Sequence, residues 1–142
     1  MLVQNILKTK GTTIYSISPD KTVSEAARQL TDRKIGSVVV LDGASLVGIL
    51  SERDIVRAIA ARGAACLDEH VSELMTRSVV TCTRDQTISN VMEMMSKGRF
   101  RHVPVIDDGA VVGVISIGDV VKHRLDETQE EVRQLAAYVA GS

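Results

Sequence analysis

The chain resembles itself when shifted by 65 positions, and this self-similarity limits its fold more than any other property of the sequence. Residues 20–56 align with 85–121 without a gap, and 11 of the 37 pairs are identical. Composition alone gives roughly two or three. The identities are Asp20/Asp85, Thr22/Thr87, Ser24/Ser89, Val38/Val103, Val40/Val105, Asp42/Asp107, Val47/Val112, Gly48/Gly113, Ser51/Ser116, Asp54/Asp119 and Val56/Val121. Upstream, Val3-Gln4-Asn5-Ile6-Leu7 resembles Val71-Ser72-Glu73-Leu74-Met75 at an offset of 68, so the first copy carries three extra residues near Lys10-Gly11-Thr12. Two copies at so long a period are too few for a solenoid.

Each copy reads as a β-α-β-β-α unit. Thr22-Val23-Ser24-Glu25 is a capping-box pattern, and Val23, Ala26, Ala27 and Leu30 follow at helical spacing. Thr87, Ile88, Val91, Met92 and Met95 repeat it. A β-branched stretch over 37–41, a turn at Asp42-Gly43-Ala44 and a second strand over 46–50 predict a hairpin, mirrored by 102–106, Asp107-Asp108-Gly109 and 111–115. A second helix is expected from Ser51 to Ala61, and again from Ser116 onward. Short strands are expected over 13–17 and 79–82. The units are placed at 1–62 and 71–124, with a connector over 63–70. Beyond them, Leu125, Val132, Leu135, Ala136 and Val139 form a stripe opposite Asp126, Glu127, Glu130 and Glu131, which predicts an extra C-terminal helix over 125–142.

Composition excludes several functions. A net charge of −1 leaves no basic footprint for nucleic acid or an anionic membrane, and two Tyr, one Phe and no Trp provide little stacking surface for single strands. No apolar run is long enough to span a bilayer, and the first residues lack the pattern of a secretory signal. Cys66 and Cys82 are neither a disulfide framework nor, with His70, a metal-ligand set, so buried thiols in a reducing, cytoplasmic setting are expected. His70 and His123 read as surface residues at helix ends, and Met92, Met94 and Met95 as core filler. No glycine-rich dinucleotide fingerprint or phosphate-binding Gly-Lys-Ser/Thr loop occurs, and no catalytic constellation stands out.

The recurring segment of Gly, two apolar residues, Ser, two residues, Asp and two apolar residues is Gly48-Ile49-Leu50-Ser51-Glu52-Arg53-Asp54-Ile55-Val56 in one copy. In the other it is Gly113-Val114-Ile115-Ser116-Ile117-Gly118-Asp119-Val120-Val121, preceded by Arg101-His102-Val103-Pro104-Val105. With these motifs in register, the chain resembles a cystathionine β-synthase domain pair, or Bateman module, over residues 1 to about 124. The resemblance implies a tandem α/β fold with pseudo-two-fold symmetry. It also implies a non-catalytic regulatory module that takes AMP, ADP, ATP, NAD or S-adenosylmethionine in clefts between the repeats and pairs as a homodimer. No resident cofactor is required, and a client protein would receive the signal. By the same correspondence Asp54 and Asp119 meet the ribose hydroxyls, assisted by Ser51 and Ser116, while Arg101 and His102, with Arg99 beside them, meet phosphate. Further contacts implied are Ile17 and Val38 in the first copy, and Val80, Cys82 and Val103 in the second.

The chemistry is consistent with those roles. A carboxylate has two acceptor oxygens, enough for both hydroxyls of a cis-diol, and the planar guanidinium fork suits phosphate. Ser-x-x-Asp is equally the pattern of an N-cap with an acidic third residue, and Lys97 to His102 reads equally as a solvated cationic loop. Gly36 and Ser37 stand where the second copy has Arg101 and His102, so the copies are not equivalent. The alternative reading of the whole chain is a purely structural interaction module.

Overall fold

A computed structural model describes residues 1–141. In chain order the elements are α1 (Val3–Lys10), β1 (Ser16–Ile17), α2 (Val23–Arg33), β2 (Ser37–Asp42), β3 (Ser45–Ser51) and α3 (Glu52–Arg62). A 3-10 turn (Ala64–Asp68) is followed by α4 (Val71–Leu74), α5 (Ile88–Gly98), β4 (His102–Asp107), β5 (Ala110–Ser116) and α6 (Ile117–Gly141).

The chain packs as two units. One comprises Thr13–Val80 with Asp108–Val111; the other comprises Met1–Thr12, Thr81–Asp107 and the described residues from Val112 onward. These differ from the sequence repeats at their openings. In the second unit, Val3, Ile6 and Leu7 of α1 are buried with Cys82, Ile88, Val91, Met95, Val103, Val105, Ile115 and Val120. In the first, Val71 and Met75 are buried with Ile17, Val23, Ala26, Leu30, Val38, Val40, Leu50 and Ile55. Each opening helix thus completes the core of the other repeat's hairpin. The motif glycines make this possible: a Cβ on Gly48 would lie 2.5 Å from Met75 Sδ, and one on Gly113 would lie 2.5 Å from a Leu7 methyl.

Within the first unit β1 pairs parallel with β2, and β2 antiparallel with β3, setting Ser37 opposite Ser51. Both expected first strands are shorter than 13–17 and 79–82 suggest. The first covers only Ser16–Ile17, and the second is a single parallel bridge of Cys82 to Val105. Proline is one cause: Val39 N–H donates to Tyr15 O at 3.2 Å, whereas Pro104, its counterpart, has no N–H to extend the ladder.

The helix starts follow the sequence. Thr22 and Thr87 cap α2 and α5 by accepting the N–H of Glu25 and Asn90, and both helices end on a left-handed residue, Lys34 (φ 55°) and Arg99 (φ 56°). The C-terminal helix differs from expectation. It is the uninterrupted continuation of the second repeat's last helix, not a separate element from residue 125. Gly63 ends α3, but its counterpart is Thr128, and neither Gly nor Pro occurs between Asp119 and Tyr138 to stop α6. Residue 142 lies outside the described residues. Among those described, no helix is long and apolar enough to cross a membrane.

Candidate functional site

In each repeat the second hairpin strand runs directly into a helix, and the junction is the Ser-x-x-Asp segment. Ser51 and Ser116 leave the strands in extended conformation and Asp54 and Asp119 stand in the first helical turn, which makes a reciprocal capping box. In the first repeat Asp54 N–H donates to Ser51 Oγ at 3.2 Å, and Ser51 N–H donates to Asp54 Oδ2 at 2.9 Å. In the second, Asp119 N–H donates to Ser116 Oγ at 3.1 Å and Ser116 N–H to Asp119 Oδ2 at 2.9 Å. Both carboxylates are half-buried. The helix-cap and ligand readings are therefore compatible: only Oδ2 is used in the box, and Oδ1 of each takes no protein donor among the described residues. The box fixes the carboxylate through Oδ2, so a diol would have to be met by the two lone pairs of Oδ1 and not by one oxygen per hydroxyl.

The second repeat gathers more around this point. Ile117 N–H donates to Arg101 O at 2.8 Å, which holds the start of β4 beside the start of α6. Arg101 is exposed there and His102 is partly buried. Burial, chiefly, holds the His102 imidazolium below the ordinary histidine range, and the charges of Lys10 and Arg101 add to this while Asp119 opposes it. The first repeat has the same scaffold without the charges, since Glu52 N–H donates to Gly36 O at 3.0 Å and Ser37 follows.

Lys10 is the residue that sequence reasoning missed. Its Nζ donates to Asp119 Oδ2 at 2.7 Å and to Val114 O at 2.8 Å. The only sequence signal was the insertion at Lys10-Gly11-Thr12 in the first copy, and nothing in it foretold a contact 109 residues away. Burial raises the Asp119 carboxyl's affinity for a proton, but hydrogen bonds from Lys10 and Ser116 and the ammonium charge outweigh it, leaving Asp119 below the usual carboxylate range.

Four of the expected contact residues can offer only their backbone. Val38, Val103 and Cys82 are core side chains, at most 1% exposed, and Ile17 is buried too. Both backbone groups of Cys82 are spent on β4, through Pro104 O and Ile106 N–H. Burial pushes its thiol up to about 11. Val80 is exposed. Arg99 is exposed and its backbone is committed to the left-handed cap of α5. His123 corrects an expectation: it is buried within α6, with Nδ1 2.9 Å from Asp119 O, because a helix that continues past residue 124 puts it on the core-facing side. His70 is exposed at the N-cap position of α4, with its Nδ1 2.8 Å from Asp20 O and no side-chain capping bond.

Comparison with known proteins places this geometry. The family model for the CBS domain matches residues 9–61 and 71–126. The chain is 32% identical to the mitochondrial CBS domain-containing protein CBSX3 of Arabidopsis thaliana, over 98% of this chain and 72% of that protein. It is similar to the crystal structure of the CBS-domain containing protein ATU1752 from Agrobacterium tumefaciens, with a TM-score of 0.84 and 48% identity over 87% of this chain and 92% of that one. It is also similar to the CBS domain pair of MJ0100, solved in complex with 5′-methylthioadenosine and S-adenosyl-L-methionine (TM-score 0.79, 29% identity, 89% and 98% coverage). Two matches to the family model, in register with the internal repeat and with both Ser-x-x-Asp boxes, establish that the chain belongs to the CBS-domain family as a tandem pair.

Proposed function

We propose that the protein is a non-catalytic regulatory module that binds adenosyl ligands, with Asp54 and Asp119 accepting the ribose diol. The observation that carries this reading is the state of the two carboxylates. Each is oriented by its own capping box through Oδ2 and keeps Oδ1 free of protein donors among the described residues. A diol needs an acceptor held in place before the ligand arrives, because ordering a mobile side chain costs affinity. The MJ0100 domain pair, which holds 5′-methylthioadenosine and S-adenosylmethionine, supports the ligand class. Candidates are AMP, ADP, ATP, NAD and S-adenosylmethionine. Arg101 and His102, held beside the start of α6, are the candidates to meet a phosphate in the second repeat. A ligand at about a hundred times its dissociation constant biases the competent conformation by about 2.7 kcal/mol if the alternative does not bind it, enough to signal to a client protein.

We read the module as a homodimer. On α6, Val121, Leu125, Thr128, Val132 and Leu135 recur at alternating spacings of four and three, and the four apolar members are exposed. Such a seam is self-complementary, so a second copy of the same helix supplies its match. Sedimentation of the full chain and of a form ending at Asp126 tests this. A full chain that sediments as a monomer refutes it.

The competing reading is a purely structural module, favoured by the fact that capping alone accounts for both Ser-x-x-Asp segments. Calorimetric titration with AMP, ATP, NAD and S-adenosylmethionine on the wild type, Asp54→Ala and Asp119→Ala separates the two. The regulatory reading expects saturable heat that one or both substitutions abolish. No heat from any ligand leaves the scaffold.

A further inference from the structure

We propose that Lys10 sets the charge preference of the second repeat. Asp119 then serves adenosyl ligands bearing a 5′-phosphate, while Asp54, which has no such cation, serves uncharged or cationic ones. The inference rests on the reading of both carboxylates as diol acceptors and assigns each its ligand class. An ammonium has three donors. Lys10 spends one on Asp119 Oδ2 and one on Val114 O, and the third is unspent among the described residues. The fixed cation therefore sits beside the diol acceptor with a donor to spare, at the end of a flexible four-carbon stem. A ribose that gives its hydroxyls to Asp119 Oδ1 carries its 5′ substituent on the same small ring, within the sweep of that stem.

Charge then sorts the ligands. A phosphate oxygen gains a charge-assisted bond from Lys10 and the field of Arg101 at the start of β4. A thioether gains neither, and a sulfonium is repelled. Around Asp54 that cation set is reduced: Gly36 and Ser37 replace Arg101 and His102, the insertion that supplies Lys10 has no counterpart between Arg77 and Ser78, Lys34 alone keeps the charge of Arg99, and Asp54 makes no ion pair among the described residues. Phosphate there meets an uncompensated carboxylate, which disfavours it, whereas a sulfonium finds an opposite charge.

AMP and 5′-methylthioadenosine form the matched probe pair, since they share adenine and the diol and differ only at the 5′ position. Calorimetry on the full chain compares wild type, Lys10→Met, Lys10→Arg, Asp119→Asn and Asp54→Asn. Lys10→Met is expected to weaken AMP about tenfold or more while moving 5′-methylthioadenosine less than about twofold, as loss of one charge-assisted bond implies. Lys10→Arg is expected to restore most of the AMP affinity, and Asp54→Asn to weaken 5′-methylthioadenosine more than AMP. An unchanged AMP affinity in Lys10→Met, or equal weakening of both ligands, overturns the assignment of Lys10 while leaving adenosyl binding intact. Failure of the wild type to bind either probe overturns the functional reading itself. The Lys10 side chain is 41% exposed, so the substitution leaves no buried cavity, and a thermal melt of each variant confirms folding.

Discussion

The two capping boxes form a natural control for each other, and Asp54→Asn against Asp119→Asn exploits it. Both substitutions keep an oxygen that can accept from the serine N–H at 2.9 Å. Both remove a negative charge from the first turn of a helix, a loss of about 0.5 kcal/mol. Only Asp119→Asn also breaks an ion pair, and with the Lys10 side chain 41% and Asp119 23% exposed, screening holds that pair to about 0.5–1 kcal/mol. Asp54→Asn is thus expected to cost about 0.5 kcal/mol and Asp119→Asn about 1–1.5 kcal/mol. At about 2.1 cal/mol/K per residue, 142 residues unfold with an entropy of about 0.3 kcal/mol/K, so Tm falls by about 2 °C and about 3–5 °C respectively. A double-mutant cycle with Lys10→Met, followed by urea unfolding at pH 7, isolates the pair as a coupling of about 0.5–1 kcal/mol that shrinks in high salt. The native carboxyl of Asp119 lies below its ordinary 3.8, so this stability is present above pH 3.8 and is lost as pH falls through the lower native value. Equal costs at the two aspartates, or a coupling of zero, would refute the claim that Lys10 makes the repeats electrostatically different.

Other outcomes follow from the same geometry. Lys10→Met removes one of the charges that disfavour the His102 imidazolium, so an NMR titration should show its pKa rise toward 6.5; no movement contradicts the contact. Because the native value is depressed, His102 also makes the wild type lose stability as pH falls below 6.5, a loss that His102→Gln should reduce in urea unfolding between pH 7 and 5. Cys82, raised to about 11 by burial, and Cys66, 2% exposed, should both be silent to a thiol reagent at pH 8 until the chain is unfolded; rapid labelling of either in the native protein would place it outside the core. Gly48→Ala and Gly113→Ala should each cost about 1–3 kcal/mol by overpacking. Gly48→Ala should be the worse, since its Cβ also meets the backbone oxygen of Thr76 at 3.0 Å while Gly113 meets only the Leu7 side chain. Chemical denaturation ranks the two.

Local patterns were legible in the sequence wherever a single turn or strand decides the outcome. Thr22 and Thr87 cap their helices, the Asp108-Gly109 turn has φ of 50° and 77° at both central residues as a two-residue hairpin requires, and Ser51 and Ser116 begin the boxes as their spacing implies. What could not be read was which repeat each opening helix serves. Val3-Gln4-Asn5-Ile6-Leu7 is the same apolar pattern whichever hairpin it covers, so periodicity says that a face is buried but not against what. The missed lysine is a consequence of that ambiguity. Once α1 belongs to the core containing Gly113 and Val120, its last residue, Lys10, arrives beside Val114 and Asp119. A cation that no sequence motif singled out becomes the group that distinguishes the two carboxylates. The repeat supplies two acceptors from one motif, and the exchange of opening helices gives only one of them a partner. A duplicated fold can therefore set one carboxylate motif in two unlike electrostatic surroundings without changing the motif itself.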